Sequence, residues 1–231
     1  MKTAGIIGGI GPGSTIEYYR LIIASYRERV RDGSYPSILI NSIDLKRMLD
    51  LVAANRLPEV ADYLGEELKR LDRAGADFAA LASNTPHIVF DVLRAGSTVP
   101  LISIVEVTCD HASGRGLKRV GLFGTRFTME AGFYPQTFER AGITVVLPDR
   151  EAQVYIHDKY MTELVNGIFI PATRAGLLAI VERMKARDGI DGLILGGTEL
   201  PLLLTADEYA GVPFLDTTKV HAEAIVSRLL S

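Results

Sequence analysis

The sequence predicts an α/β protein of two pseudo-symmetric lobes, each a parallel sheet flanked by helices, and three observations carry that expectation. Short apolar segments alternate with longer segments whose apolar residues recur at helical spacing, the pattern of βαβ units. Ile38 to Ile43 is almost continuously apolar rather than alternating, as expected of a strand covered on both faces. The chain also repeats itself. Lys118-Arg119-Val120-Gly121-Leu122-Phe123-Gly124-Thr125 restates the opening of the chain, Tyr134 follows Tyr18 by 116 residues, and Gly197 follows Ser83 by 114 in a similar local setting. Two landmarks with nearly equal offsets indicate a duplicated unit, and a cleft between the halves is the expected binding place.

Lys2 to Ile7 reads as a strand that runs into Gly8-Gly9-Ile10-Gly11-Pro12-Gly13-Ser14-Thr15, and Ile16 to Ile22 then reads as a helix. The glycines lack the third position of the dinucleotide fingerprint, and no Gly-Lys-Ser/Thr follows, so a pocket wall is favoured over a phosphate cradle. Ser14 with Glu17 forms a predicted capping box, as do Ser103 with Glu106 and Thr205 with Glu208. Strand 38–43 leads into Asp44, Lys46 and Arg47. A helix over Leu57 to Leu71 closes at Gly75, and a strand from Phe78 to Leu81 delivers Ser83, with Asn84, Thr85 and Pro86 suited to opening the next helix. Val105 and Cys109 lie four apart on one helix face, which makes Cys109 a small core residue. Glu151–Val165 and Ala172–Lys185 read as helices, Ile190–Leu195 as the strand before Gly197, and Val212–Leu215 as a last strand. Asp216 then caps a terminal helix that contains His221.

A chain of 231 residues, 48% hydrophobic and 23% charged, can bury a sizeable core. No apolar run approaches the ~20 residues of a membrane span, and the start reaches glycine too soon for a secretory signal, so a soluble cytoplasmic protein is expected. A net charge of −3 without a basic run argues against nucleic acid and for a small-molecule partner. The single cysteine, Cys109, excludes an intrachain disulfide and a cysteine-based metal cluster.

The chemistry-bearing stretches are Ser83-Asn84-Thr85-Pro86-His87 and Gly196-Gly197-Thr198-Glu199, each placed after a strand, where open α/β sheets bind ligands. Over nearly the whole chain the pattern resembles the aspartate/glutamate racemase family, whose two motifs read Cys-Asn-Thr-x-His and Gly-Cys-Thr-Glu. The resemblance implies cofactor-independent racemisation of a small amino acid, a dicarboxylic one such as aspartate or glutamate. It also implies no metal and a homodimer. It implies a discontinuous first lobe, 1–99 plus 214–231, around a second lobe at 100–213. Family thiols would sit at Ser83 and Gly197, on opposite sides of the substrate Cα. Arg47 would pair with the distal carboxylate, and Asn84, Thr85, Thr125, Thr128, Thr198, Glu199 and the Gly11 loop would complete the binding set. Each also has a structural reading: Arg47 as a solvated helix-start cation, Thr85 and Thr125 as plain caps, His87 as a structural histidine.

The two positions decide the chemistry. Racemisation needs a base on one face of Cα and an acid on the other. A serine hydroxyl is a far weaker acid than a thiol, with its reference pKa near ~8.5, and glycine has no side chain. The two-thiol mechanism therefore cannot run, and activity must recruit another group, such as His87, Asp44, Glu199, Tyr18 or a water. Glu199 is ordinary for the family. Thiols placed at both 83 and 197 are expected to raise Cα proton exchange. Three readings stay open: a racemase or epimerase with substitute acid–base groups, a related lyase or isomerase, and a non-catalytic amino-acid or dicarboxylate binder.

Overall fold

The computed structural model describes residues 2–231. The chain begins with β1 (Thr3–Gly8), α1 (Pro12–Arg29), β2 (Ser37–Ser42), α2 (Leu45–Ala53), α3 (Leu57–Arg73) and β3 (Phe78–Leu81). A 3-10 turn over Thr85–Val89 leads into α4 (Phe90–Gly96), β4 (Leu101–Ile102) and α5 (Ile104–Gly114). There follow β5 (Arg119–Gly124), α6 (Arg126–Glu130), α7 (Phe133–Arg140), β6 (Thr144–Val146) and α8 (Arg150–Thr162). A 3-10 turn at Leu164–Asn166 precedes α9 (Pro171–Asp188), β7 (Gly192–Gly196), α10 (Leu200–Leu203), β8 (Glu208–Tyr209), β9 (Val212–Asp216) and α11 (Thr217–Leu230).

Two units result, Met1–Val107 with Thr218–Ser231, and Thr108–Thr217. β4 pairs with β3 and so belongs to the first sheet, while β9 pairs with β7 and belongs to the second. The crossings accordingly fall inside α5 and at the start of α11, rather than at 99/100 and 213/214.

In the first unit the sheet order is β2-β1-β3-β4, all parallel. Ala4 and Ile6 of β1 and Phe78 and Ala80 of β3 point to one face, where they meet Tyr18, Ile22 and Tyr26 of α1 and Ala222, Ile225, Val226 and Leu229 of α11. The four-residue spacing in α1 is what lines up a single apolar stripe. The other face is covered by α3, and it packs so closely that a Cβ on Gly5 would come within 3.1 Å of the Leu71 side chain. β2 lies at the edge, with Ile40 42% exposed, so the continuous apolar run does not mark a strand covered on both faces.

The second unit has the order β6-β5-β7-β9-β8, parallel except for the short β8–β9 pair. Its first four strands repeat the connectivity of the first sheet. The duplication extends to side chains. Asp77 accepts the Thr3 N–H at 2.6 Å, and Asp191, 114 residues on, accepts the N–H groups of Lys118 and Arg119 at 2.8 and 3.0 Å. In both units a carboxylate before the third strand thus pins the start of the first strand.

Two capping expectations fail. α1 begins at Pro12 with Gly11 as its cap, which leaves Ser14 inside the first turn and Glu17 paired with Arg20 at 2.6 Å. The Gly9 N–H is taken instead by Thr15 Oγ1 at 2.8 Å. Thr205 opens no helix, because Glu208 enters β8. At the remaining box Ser103 Oγ accepts the Glu106 N–H at 3.3 Å, while the Glu106 carboxylate turns to Arg94.

Candidate functional site

On the first unit, the carboxyl edge of the sheet gathers Gly9–Gly11 after β1, Asp44 and Arg47 after β2, and Ser83–Thr85 after β3. Gly9 adopts φ +84°, and a Cβ there would lie 2.6 Å from Ile43 N, so glycine lets this loop close against the one after β2. Gly11 has open space where a Cβ would go, so no internal packing requires glycine there. Asp44 caps α2, accepting from the Lys46 and Arg47 amides at 2.9 and 3.4 Å. Its carboxylate is thereby committed to the helix start.

Arg47 is exposed, stacks on Tyr63 with its guanidinium 4.2 Å from the ring centroid, and makes no ion pair among the described residues. Tyr63, which carries no motif in the sequence, is the platform: its hydroxyl also accepts the Asp44 N–H at 3.2 Å. Arg47 lines an open groove of about 610 Å³ with Leu51, Arg56, Tyr63 and acidic residues of α3.

Ser83 is half-buried, and Asn84 and Thr85 are buried behind it. His87 is enclosed. Its Nδ1 lies 3.1 Å from the Ser83 carbonyl and its Nε2 accepts the Ile104 N–H at 3.3 Å, while its ring stacks on Phe90. The carbonyl can only accept, so the proton is on Nδ1. Burial holds the His87 pKa down to about 3. This is a structural histidine that ties the Ser83 turn to the start of α5. Tyr18 is likewise committed: it donates to His221 Nδ1 at 2.8 Å, and His221 Nε2 donates to the Ile102 carbonyl at 3.1 Å.

On the second unit, the corresponding edge carries Thr125 after β5 and Gly197, Thr198 and Glu199 after β7. Thr125 caps α6, accepting from Thr128 N at 3.3 Å, and its hydroxyl lies 3.2 Å from that of Thr128. Thr128 is buried against the strands: a Cβ on Gly124 or Gly196 would fall 3.0 or 3.2 Å from its methyl group.

The space at Gly197 is already filled. A Cβ built there would lie 2.5 Å from Tyr160 Cε2, 2.6 Å from the Tyr160 hydroxyl oxygen and 2.8 Å from Cζ. Tyr160, from the end of α8, is buried and donates a hydrogen bond to Glu199, whose same oxygen accepts from the Thr198 hydroxyl at 2.7 Å. Burial pushes the Tyr160 phenol well above its usual range, and the Glu199 charge pushes it further the same way. A side chain placed at position 197 therefore requires the Tyr160 side chain to shift. Of the groups considered as substitutes, Asp44, Tyr18 and His87 are occupied structurally, and Glu199 accepts from a hydroxyl that stands beside Gly197. Tyr160 gave no signal in the sequence beyond a place in a helix; contact with Gly197 across 37 residues of chain is what reveals it.

The model of the Asp/Glu/hydantoin racemase family matches residues 7–225. The chain belongs to that family. Membership places it among racemase-type isomerases. It is 24% identical over 233 residues to the broad specificity amino-acid racemase RacX of Bacillus subtilis (strain 168), covering 98% of each chain. Among solved structures it matches an aspartate racemase homologue from Pyrococcus horikoshii OT3 with TM-score 0.86 and 33% identity, and a candidate Asp/Glu racemase from Yersinia pestis with TM-score 0.92 and 33% identity, in both cases over the full length of both chains. The two-unit α/β fold is thus the fold of racemase structures. Among the described residues no helix is long and apolar enough to cross a membrane, and no group of three or more His, Cys, Asp or Glu could hold a metal ion.

Proposed function

We propose that this member of the Asp/Glu/hydantoin racemase family racemises or epimerises a small amino acid, a dicarboxylic one such as aspartate or glutamate, by cofactor-independent Cα proton transfer. The observation that carries the reading is the concentration of the motif residues on the carboxyl edge of each sheet. Arg47, Gly11, Asn84 and Thr85 come from the first unit, and Thr125, Thr128, Thr198 and Glu199 from the second. Arg47, stacked on Tyr63 and without an ion pair of its own, is suited to a carboxylate held bidentately. The names of relatives support an amino acid as the substrate, and that of the aspartate racemase homologue supports a dicarboxylic one.

Ser83 and Gly197 at the thiol positions favour a second reading, a binder of amino acids or dicarboxylates without turnover. One experiment separates the two. The protein is incubated in deuterated water with L- and D-aspartate, glutamate and a panel of neutral and basic amino acids, and Cα–H loss and enantiomer ratio are followed by proton NMR and chiral chromatography. Calorimetry on the same ligands reports binding. Exchange supports the enzyme; binding without exchange of any ligand supports the binder and sinks the enzyme. We further propose a cytoplasmic homodimer that binds no nucleic acid. Light scattering at low micromolar concentration that shows only a 25.2 kDa species would refute the dimer.

A further inference from the structure

We propose that the Tyr160 hydroxyl takes the place of the second family thiol, with Glu199 as the proton acceptor behind it, so that the pair is the acid–base device of the second unit. This rests on the racemase reading above and names a group that reading lacks. The geometry is specific. The phenol oxygen lies 2.6 Å from where the Cβ of a side chain at 197 would stand, so the hydroxyl reaches the space beside that position that a side chain there would take. The end of the Tyr160 side chain occupies the space a Cβ at 197 would take, so Gly197 and Tyr160 are a size-matched pair. Behind the hydroxyl, Glu199 accepts its hydrogen bond and is held in turn by Thr198.

The step balances with the tyrosine neutral before and after. The Cα–H bond breaks, and its electron pair remains on Cα as the carbanion. The proton goes to the Tyr160 oxygen, while the proton already on that oxygen passes to the Glu199 carboxylate, leaving a neutral phenol and a neutral carboxylic acid. One negative charge has moved from Glu199 to Cα. Reversal of both transfers returns a proton to Cα. A free phenolate never accumulates, in keeping with the burial that disfavours it. Direct removal by Glu199 alone would not explain why the phenol stands in the space at 197.

The test uses the full chain. Exchange of Cα–H into deuterated water is measured for the wild type, Tyr160→Phe, Glu199→Gln and Glu199→Asp. A positioned proton-transfer group contributes ~100- to ~10,000-fold, so Tyr160→Phe and Glu199→Gln are expected to lower kcat by that factor with KM nearly unchanged. Glu199→Asp should recover part of the rate lost in Glu199→Gln. Exchange in Tyr160→Phe within threefold of wild type overturns the proposal and leaves the racemase reading standing. No exchange of any amino acid by the wild type overturns that reading and this proposal with it. A second measurement needs no turnover: Gly197→Cys should lower Tm by more in the wild-type background than in Tyr160→Ala. Equal losses in the two backgrounds would show that Tyr160 does not fill the space at 197.

Discussion

Acid should loosen the first unit through two histidines. His221 accepts from Tyr18 at Nδ1 and donates to a carbonyl at Nε2, and His87 donates to a carbonyl at Nδ1 and accepts the Ile104 N–H at Nε2. A second proton on His87 would set an N–H donor against the Ile104 N–H donor, inside a buried site near Arg94. Burial, the larger cause for both, brings the pKa to about 3 for His87 and about 4 for His221. The sign follows from linkage: the unfolded chain binds these protons near the ordinary value of about 6.5 and the folded chain does not, so stability is full above pH 6.5 and falls as pH drops toward 4. Each histidine then contributes a slope of about 1.4 kcal/mol per pH unit, so that by pH 5 the two together cost about 4 kcal/mol. That is a large fraction of the ~5–15 kcal/mol of a typical domain.

Urea unfolding between pH 7.5 and 4.5 at constant ionic strength should show this fall. In histidine C2–H spectra, two of the four rings should fail to titrate above pH 5. His221→Gln should remove about half of the slope while lowering stability at pH 7.5. A flat stability profile from pH 7 to 5, or four rings that all titrate near 6.5, would refute the reasoning.

Gly9→Ala should destabilise by more than ~1 kcal/mol, since it combines φ +84° with a Cβ 2.6 Å from backbone, whereas Gly11→Ala, facing open space, should leave Tm unchanged and weaken amino-acid binding in calorimetry. Asp77→Ala and Asp191→Ala should each cost about 1 kcal/mol in urea unfolding, because each removes a carboxylate that holds the backbone N–H groups at the start of a strand, where water can take its place. Cys109→Ala should leave any exchange activity intact and cost about 1–2 kcal/mol of stability, as expected for a buried thiol whose Sγ lies 3.9 Å from the Thr137 carbonyl. Loss of exchange in that variant would contradict its placement in the core.

The strands that follow a glycine-rich or helix-end signal were legible from the sequence: Phe78–Leu81 is observed with the boundaries expected, and Tyr18 and Tyr134 are both fully buried. Turns were less so. Ser14-x-x-Glu17 and Thr205-x-x-Glu208 satisfy the pattern of a capping box, yet the helix start depends on where the preceding strand releases the chain. Pro12 takes the first helical position two residues ahead of Ser14, and the pull of β9 draws Glu208 into an antiparallel pair. Burial of β2 was overestimated because composition does not reveal whether a strand lies at an edge. Of the candidate site, the loops and their motif residues were visible, because they are local in sequence. Tyr63 and Tyr160 were not, since each acts by contact with a residue distant along the chain.

The duplication makes the difference between the two edges informative. Both sheets share strand order and the Asp77/Asp191 device, so the halves began from one plan. On the first edge the polar groups near Ser83 are spent on structure, His87 on backbone and Asp44 on a cap. On the second, a hydroxyl backed by a carboxylate stands beside Gly197. If the second edge alone carries a proton relay, the proton removed from Cα is returned by the group that took it, and the product keeps its configuration more often than it inverts. Deuterium should then enter the enantiomer that Tyr160 deprotonates faster than that enantiomer is converted into its mirror image, and the opposite enantiomer should exchange slowly. Initial rates of exchange and inversion, measured on one sample by NMR and chiral chromatography, decide the point. Equal rates from both enantiomers would require a second proton carrier of comparable strength, which Ser83 without an activating neighbour cannot supply.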